Sequence, residues 1–192
     1  MFDPLKLIDT LYQDELELKE ILLDHSYKVL DKALEIAKLN SRSANPSNLD
    51  LTIVKNGCLL HDIGIIFCHA PSILCNGTKP YIEHGFIGAK YLREYSLQNN
   101  LDLEVYARIC ERHTGSGLTA QDITKFNINV PIIDYFPETN EEKLVCLADK
   151  FFSKSKDNNE KSLAKVIKSM EKFGPQIVDR FNNLLSFFSL DQ

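Results

Sequence analysis

Apolar residues recur every three or four positions along most of this chain, a spacing typical of helices that bury one face. Leu7, Leu11, Leu18 and Leu22 form such a stripe and predict an amphipathic helix over residues 4–22. Similar stripes and capping signals predict further helices at residues 25–39, about 50–60, 83–97, 102–113, 119–126, 139 to at least 149, 161–173 and 175–188.

Polar segments rich in turn-forming residues separate these helices. Residues 41–48 predict a polar loop, and residues 154–161 predict a charged connector. Residues 65–82 contain two prolines and a glycine without clean periodicity, so we predict a long loop of the kind that often forms lids or binding surfaces. The apolar stretch 130–133 is too short to indicate a sheet. The pattern therefore predicts an all-α protein with a single domain over residues 1–192.

Bulk composition narrows the function classes. The chain has 192 residues, 44% hydrophobic and 26% charged residues, which is ordinary for a globular protein. Its net charge of −5 argues against binding to nucleic-acid backbones as the main role. The charge leaves phosphorylated small molecules open, because a divalent cation can supply positive charge locally.

Five cysteines without a Cys-x-x-Cys pair predict reduced thiols and a cytoplasmic protein. Cys58, Cys110 and Cys146 fall in helical stripes as small core residues, whereas Cys68 and Cys75 leave a loop disulfide or a metal site as alternatives. The N-terminus lacks the features of a signal peptide, and no apolar run has the length of a membrane span.

The candidate chemistry starts at His61-Asp62, which follows the apolar run 51–60. Burying an imidazole and a carboxylate beside Leu59 and Leu60 costs several kcal/mol unless a partner compensates both groups. A divalent cation does so by accepting an imidazole nitrogen and a carboxylate oxygen together. Taken alone, the pair is more typical of a hydrogen-bonded core histidine. The other candidate ligands therefore decide whether a metal site is predicted.

The remaining histidines and one late aspartate fall in an ordered series. That series is His25, His61-Asp62-Ile63-Gly64, His84, His113 and Asp149. It resembles the HD superfamily of metal-dependent phosphohydrolases, and the Ile-Gly after the pair is similar to the HDIG subgroup. The stretches 25–29, 83–89 and 148–150 match the style of that family as well. The resemblance covers about residues 25–150, roughly two thirds of the chain.

The resemblance implies a helical bundle with an HD-type core at about residues 22–155. The N-terminal helix 4–22 and the C-terminal helices 161–188 are then expected to pack on that core. We expect the two C-terminal helices to contribute packing or a homodimer surface and no catalytic group.

The resemblance also implies which residues bind metal. His25, His61, Asp62 and Asp149 would hold one ion, and Asp62 would bridge to a second ion held by His84 and His113. The alternative is a single ion, with the last two histidines contacting the substrate phosphate. The mixture of imidazoles and carboxylates suits Fe, Mn, Zn, Ni or Co better than Mg.

The implied activity is hydrolysis of a phosphate monoester or diester, above all of a nucleotide, by a metal-activated hydroxide with Asp62 as the catalytic residue. Ile65 stands where the HD-GYP relatives carry a lysine, and their GYP motif is absent, which disfavours cyclic-di-GMP. Two alternatives remain: a regulatory domain that binds metal and senses a nucleotide without turnover, and a purely structural helical protein.

Lys28 and Lys79 are candidate substrate-binding residues. Lys28 lies three residues after His25, so it can reach round the same site, although a solvated surface lysine fits the pattern equally. Lys79 and His69 lie in the predicted loop 65–82. His69 has no counterpart in the ordered series, and we interpret it as a solvated or loop-packing side chain.

Overall fold

The computed structural model describes residues 2–154 and 159–190. The described chain is mainly helical, with helices α1 (Pro4–Leu11), α2 (Leu16–Asn40), α3 (Leu51–Leu60), α4 (His84–Asn99), α5 (Glu104–Arg112), α6 (Ala120–Lys125), α7 (Asn140–Asp149), α8 (Leu163–Glu171) and α9 (Pro175–Phe187). The predicted all-α class is therefore confirmed.

The N-terminal helices differ from the prediction of helices over 4–22 and 25–39. The chain turns at residues 12–15 instead, and α2 continues through residues 22–25 without a break. The buried Tyr12 fixes the turn, since its hydroxyl donates a hydrogen bond to the carbonyl oxygen of Ile63 over 2.9 Å. No glycine or proline interrupts residues 16–40, so one long helix forms there.

Helix α7 lies at the centre of the bundle. It packs against α2, α3, α5 and α9, while α4 packs against α5. The start of α7 is specified by sequence, since the Thr139–Glu142 capping box forms there. Buried apolar side chains from both ends of the chain and from its middle, such as Leu7, Val145 and Phe181, belong to one continuous cluster, while Leu118, Ile123, Ile128 and Tyr135 around α6 form a smaller second cluster. The terminal helices therefore share the core that surrounds α7, while the domain boundaries themselves stay a prediction.

The predicted loop 65–82 contains short regular elements. Strands β1 (Cys68–Ala70), β2 (Cys75–Asn76) and β3 (Lys79–Pro80) form a small sheet in the order β2-β1-β3, with β1 antiparallel to β2 and parallel to β3. In the register, His69 faces Asn76 and Cys68 faces Lys79. Strands of two or three residues are too short to show an alternating pattern, which explains why the sequence did not reveal them.

The end of the chain largely follows the prediction. Helices α8 and α9 correspond to the predicted helices 161–173 and 175–188 and are each slightly shorter. Most of the predicted connector 154–161 lies outside the described residues, since the structure does not describe 155–158. Among the helices that are described, none combines the length and apolar character that crossing a bilayer requires.

Candidate metal centre

The six predicted ligands come from five different helices and meet in the interior. They are His25 on α2, His61 and Asp62 at the end of α3, His84 at the start of α4, His113 directly after α5, and Asp149 at the end of α7. Each of these residues is buried, with at most 9% of its surface exposed. The packing of α2 on α7 thus brings His25 and Asp149 together, although they are 124 residues apart in the sequence.

Two glycines allow the backbone of α4 to approach the centre. A Cβ atom on Gly64 would lie 2.2 Å from the carbonyl oxygen of His84, and one on Gly85 would lie 2.3 Å from the carbonyl oxygen of Cys110. Any side chain at these positions would push α4 away from its neighbours. The glycine that follows His61-Asp62-Ile63 therefore has a packing role beside the site. It does not end the helix, as a glycine after a helical run would predict, because α3 ends at Leu60 and Gly64 lies within a short 3-10 helix, Ile63–Phe67.

Three of the histidine rings are fixed by the same local hydrogen bond. The Nδ1 atoms of His61, His84 and His113 lie 2.7, 2.7 and 2.6 Å from the carbonyl oxygen three residues earlier in the chain. A carbonyl oxygen only accepts hydrogen bonds, so Nδ1 carries the proton in each ring. In the neutral ring the Nε2 lone pair then faces the centre, as a metal ligand requires.

The first group of ligand atoms surrounds Oδ2 of Asp62. The Nε2 atoms of His25 and His61 lie 3.2 and 2.9 Å from this oxygen. Asp149 closes the group, with its Oδ1 atom 3.0 Å from Nε2 of His25 and 3.5 Å from Nε2 of His61. One atom from each of these four residues falls within 4.8 Å of all the others, so the group could hold a metal ion.

A second group of ligand atoms surrounds the other oxygen of the same carboxylate. Nε2 of His84 lies 3.1 Å and Nε2 of His113 lies 3.5 Å from Oδ1 of Asp62, and the two nitrogens are 3.0 Å apart. This group could also hold an ion. Asp62 is the member that the two groups share, which is the position the sequence predicts for it.

The chemistry of the donor atoms fits a cation. Neither oxygen of Asp62 has a hydrogen-bond partner of good geometry among the described residues, although the Nε2 atoms of four rings lie within 3.5 Å of them. Lone pairs of nitrogen and oxygen that face each other in a buried site repel unless positive charge lies between them. Divalent transition metals accept this combination of imidazole and carboxylate ligands.

The pKa values of the ligand side chains also indicate that this centre stabilises positive charge. Burial alone would lower the pKa of His61, but Asp62 and Asp149 outweigh burial and raise that pKa to about 9. Burial lowers the pKa of His113 to about 4 against the attraction of Asp62. Burial would raise the pKa of both carboxyl groups, yet His61 and Lys154 hold that of Asp62 well below its usual range, and Lys150 and His25 do so for Asp149. Both carboxylates are therefore ionised at neutral pH.

Two lysines at the centre were missed by the sequence analysis. The Nζ atom of Lys154 lies 2.5 Å from Oδ2 of Asp62 and 5.9 Å from the ring centroid of Tyr81, and Lys150 forms an ion pair with Asp149. Burial would lower the pKa of Lys154, but Asp62 and Tyr81 outweigh it and raise the pKa above its ordinary value. Only the position of Lys150 beside Asp149 was a signal in the sequence, since Lys154 lies beyond the end of α7 and reaches Asp62 through the packing of the chain after that helix.

The lysines that were predicted to bind substrate lie elsewhere. Lys28 forms an ion pair of 2.9 Å with Asp24 and its side chain is 37% exposed, and Lys79 is exposed in β3. Neither belongs to the two ligand groups, and their role in substrate binding stays a prediction. His69 is exposed in β1, in agreement with its interpretation as a solvated histidine. The five cysteines are free and buried, so Cys68 and Cys75 form no disulfide.

Comparison with known proteins places this centre in a family. The family model described as HD domain matches residues 22–153. An uncharacterised protein of Methanocaldococcus jannaschii, MJ0778, is 32% identical over 173 residues, covering 86% of this chain and 90% of that protein. The tRNA (cytidine(56)-2′-O)-methyltransferase of Picrophilus torridus is 35% identical over 129 residues, or 67% of this chain. The matched part of this chain covers 32% of the length of that methyltransferase, or about a third.

Among solved structures, the HD domain of the Listeria monocytogenes phosphodiesterase PgpH in complex with cyclic-di-AMP aligns with a TM-score of 0.49 and 17% identity. That alignment covers 90% of this chain and 92% of the PgpH chain. The match of the family model over most of the chain, with the buried histidine and aspartate groups inside the matched residues, leads to one conclusion. The protein belongs to the HD domain family.

Proposed function

We propose that this protein is a metal-dependent phosphohydrolase that cleaves a phosphate monoester or diester of a nucleotide. The observation that carries the proposal is the pair of ligand groups that share Asp62, one on each carboxylate oxygen. Two acceptor-rich sites joined by one carboxylate are the arrangement that two-metal hydrolases use. Membership of the HD domain family supports the same assignment.

In this proposal two divalent ions bind, with Asp62 as their shared ligand. His25, His61 and Asp149 complete one site, and His84 and His113 complete the other. The nitrogen-rich donor set favours Fe, Mn, Zn, Ni or Co over Mg, which prefers oxygen ligands and water. When bound, the ions would provide a water nucleophile at neutral pH and neutralise charge on the phosphoryl oxygens.

The side chains of the protein itself contribute orientation and charge. The backbone carbonyls of Cys58, Tyr81 and Cys110 hold three imidazoles in one tautomer, so no ring must reorient when it binds an ion. Lys154 places a buried ammonium group against Asp62. Such a fixed charge is suited to contact a phosphoryl oxygen of the substrate, because it lies in a site from which water is largely excluded.

The substrate class follows from charge. The protein carries a net charge of −5, yet Lys150, Lys154 and Lys161 cluster near Asp149, and burial together with Lys150 and Lys154 lowers the pKa of Lys161. This local positive field favours a small phosphorylated ligand at the centre, while the acidic surface disfavours long nucleic acids. We also propose that the protein acts in the cytoplasm, which agrees with its five free cysteines.

A combined metal and substrate analysis tests the proposal. Protein stripped of metal is reconstituted with Mn, Fe or Zn, and the bound metal is counted by elemental analysis. We expect about two equivalents per chain. The loaded protein is then tested against p-nitrophenyl esters, 2′,3′-cyclic nucleotides and nucleoside phosphates, and we expect hydrolysis of at least one nucleotide.

The His84→Ala variant is the matched control for the number of ions. With two ions it should lose one equivalent and keep the other, because His84 belongs to only one of the groups. Wild-type protein that saturates at one equivalent, together with a His84→Ala variant that keeps this ion but loses activity, would favour the single-ion alternative. Metal binding without hydrolysis of any compound would refute the proposed activity and favour a sensing domain.

A further inference from the structure

A cavity of about 410 Å³ adjoins the metal centre. Asp149 belongs both to the first ligand group and to the wall of this cavity, and Lys150 lies beside it. The size falls within the range of about 300–1,000 Å³ that is typical of small-molecule pockets. A substrate whose phosphate reaches the metal centre can thus extend its organic part into this cavity.

The far wall of the cavity is apolar and aromatic. Met170, Phe173 and Ile177 line it from α8, the turn after α8, and α9, and Phe126 lines it from the turn after α6. The rings of Phe126 and Phe173 stand edge to face, with their centroids 6.2 Å apart. Phe173 remains 43% exposed although it is a large aromatic residue, so part of its ring is free to contact a ligand.

Two further polar residues, Thr114 and Lys161, lie in the wall of the cavity. Thr114 lines it with only 7% of its surface exposed, and its hydroxyl oxygen has no hydrogen-bond partner within residues 2–154 and 159–190. Lys161 also lines the cavity, and its Nζ donates to the carbonyl oxygen of Phe152 over 2.9 Å.

We propose that α8, α9 and the turn between them, which all lie outside the matched residues 22–153, form the pocket for the nucleoside part of a mononucleotide substrate. The phosphate lies at the Asp149 and Lys150 end, and the base stacks against Phe173. This inference rests on the proposed function, because it takes the metal centre as the place where the phosphate binds.

The chemistry of the pocket favours a nucleoside over other organic groups. Aromatic side chains bind planar bases of any identity, because every base presents a π face. The ammonium group of Lys161 can donate to a ribose hydroxyl or a base edge, which a purely aliphatic ligand would not offer. The few polar groups in the walls predict only modest discrimination between bases.

A fluorescence experiment tests the pocket without any need for turnover. The chain contains no tryptophan, so Phe173→Trp introduces a single selectively excited fluorophore in the cavity wall. We expect saturable quenching by AMP and little change with ribose 5-phosphate, which lacks the base. Phe187→Trp is the matched control, because Phe187 has a similar exposure of 39% but lies outside this cavity.

A second fluorophore position keeps the test decisive if Phe173→Trp folds poorly. Ser169 is an exposed residue of α8 that also lines the cavity, so Ser169→Trp should report AMP in the same way. Absence of quenching at both positions, or equal quenching in the Phe187→Trp control, overturns the pocket assignment. Quenching by ribose 5-phosphate as strong as that by AMP overturns it as well.

Kinetics of the metal-loaded protein provide the second readout. Phe173→Ala should raise the KM for AMP by about tenfold to a hundredfold, which is the range expected for a lost base–aromatic stack. The KM for ribose 5-phosphate should stay unchanged. Phe187→Ala should change neither value.

The two proposals fail in different ways. If no phosphate ester is hydrolysed but AMP quenches Phe173→Trp, the hydrolytic function is wrong and the pocket stands. If nucleotides are hydrolysed but Phe173→Ala changes the KM values of both compounds equally, or changes neither, the pocket is wrong and the hydrolytic function stands.

Discussion

Replacement of Gly64 by alanine adds one methyl group at the point where the chain after α3 touches α4. The new Cβ atom would lie 2.2 Å from the carbonyl oxygen of His84, 2.5 Å from the nitrogen of Gly88 and 2.9 Å from its Cα atom. All three atoms belong to the backbone, so no side chain can rotate away to make room. Ordinary contact begins at 3.4 Å, and α4 must therefore move away by roughly 1 Å.

The expected loss of stability follows from this displacement of α4. Overpacking of a rigid interior costs about 1–3 kcal/mol and occasionally more, and we expect a loss of about 3 kcal/mol in the free energy of unfolding because backbone opposes backbone. The same shift moves His84, whose Nε2 atom lies 3.1 Å from Asp62. Metal–ligand distances tolerate changes of only about 0.2 Å, so the second group should lose its ion while the first keeps its own.

Chemical denaturation of the metal-free protein measures the stability, and elemental analysis after reconstitution measures the metal content. Gly57→Ala is the control, because the one close contact of its Cβ atom would be with the end of the Ile109 side chain, at 2.6 Å, while its next contacts are ordinary ones at 3.6 Å. That side chain can adjust, and alanine favours the helix by about 0.5–1 kcal/mol, so the net change should be small. A Gly64→Ala protein with wild-type stability and two bound equivalents would refute the reasoning.

Three further substitutions test individual residues. Asp62→Ala should abolish hydrolysis and metal binding together, because one carboxylate serves both groups, and a normal metal content would show that Asp62 is not a central ligand. Lys154→Met should lower kcat by about a hundredfold while the metal content stays normal. Lys168→Met on the exposed side of α8 is the control. An unchanged kcat in Lys154→Met would exclude the proposed contact of Lys154 with the phosphoryl group. Asp179→Asn on the exposed side of α9 should leave the rate unchanged, and a hundredfold loss in a folded protein would reveal a missed substrate residue.

Much of the helical fold could be predicted because helix signals are local. Capping residues such as Asp50 and Thr139 and the apolar stripes act within a few turns, and the corresponding helices begin as predicted. The turn at residues 12–15 could not be predicted, because it depends on the burial of Tyr12 against Ile63, a contact between residues 51 positions apart. The short strands in 65–82 were missed for a similar reason, since their pairing is fixed by neighbouring segments and not by alternation.

The ligand positions could be predicted because the order of histidines and aspartates matches a family, and the structure brings all six together. Whether they bind metal stays a prediction. The lysines near the site, in contrast, could not be assigned correctly from the sequence. Lys28 was nominated for its distance from His25 along the helix, but its pairing with Asp24 on the surface depends on side-chain direction. Lys154 was assigned to a connector, and only the packing of the chain after α7 turns its ammonium group towards Asp62.

The division between the matched residues and the rest of the chain suggests how reaction and specificity are encoded. The six candidate ligands lie within residues 22–153, while Lys154 and the helices that close the cavity follow immediately. Asp149 joins the two parts, since it belongs to a ligand group on one side and to the cavity wall on the other. Substitutions at the cavity-lining positions of α8 and the turn after it can therefore reshape the cavity without replacing a ligand, because the ligands belong to α2, α3, α4, α5 and α7. Variation after α7 is thus expected to change the preferred substrate while metal content stays constant, which exchange of residues 169–177 followed by metal analysis and AMP titration would reveal.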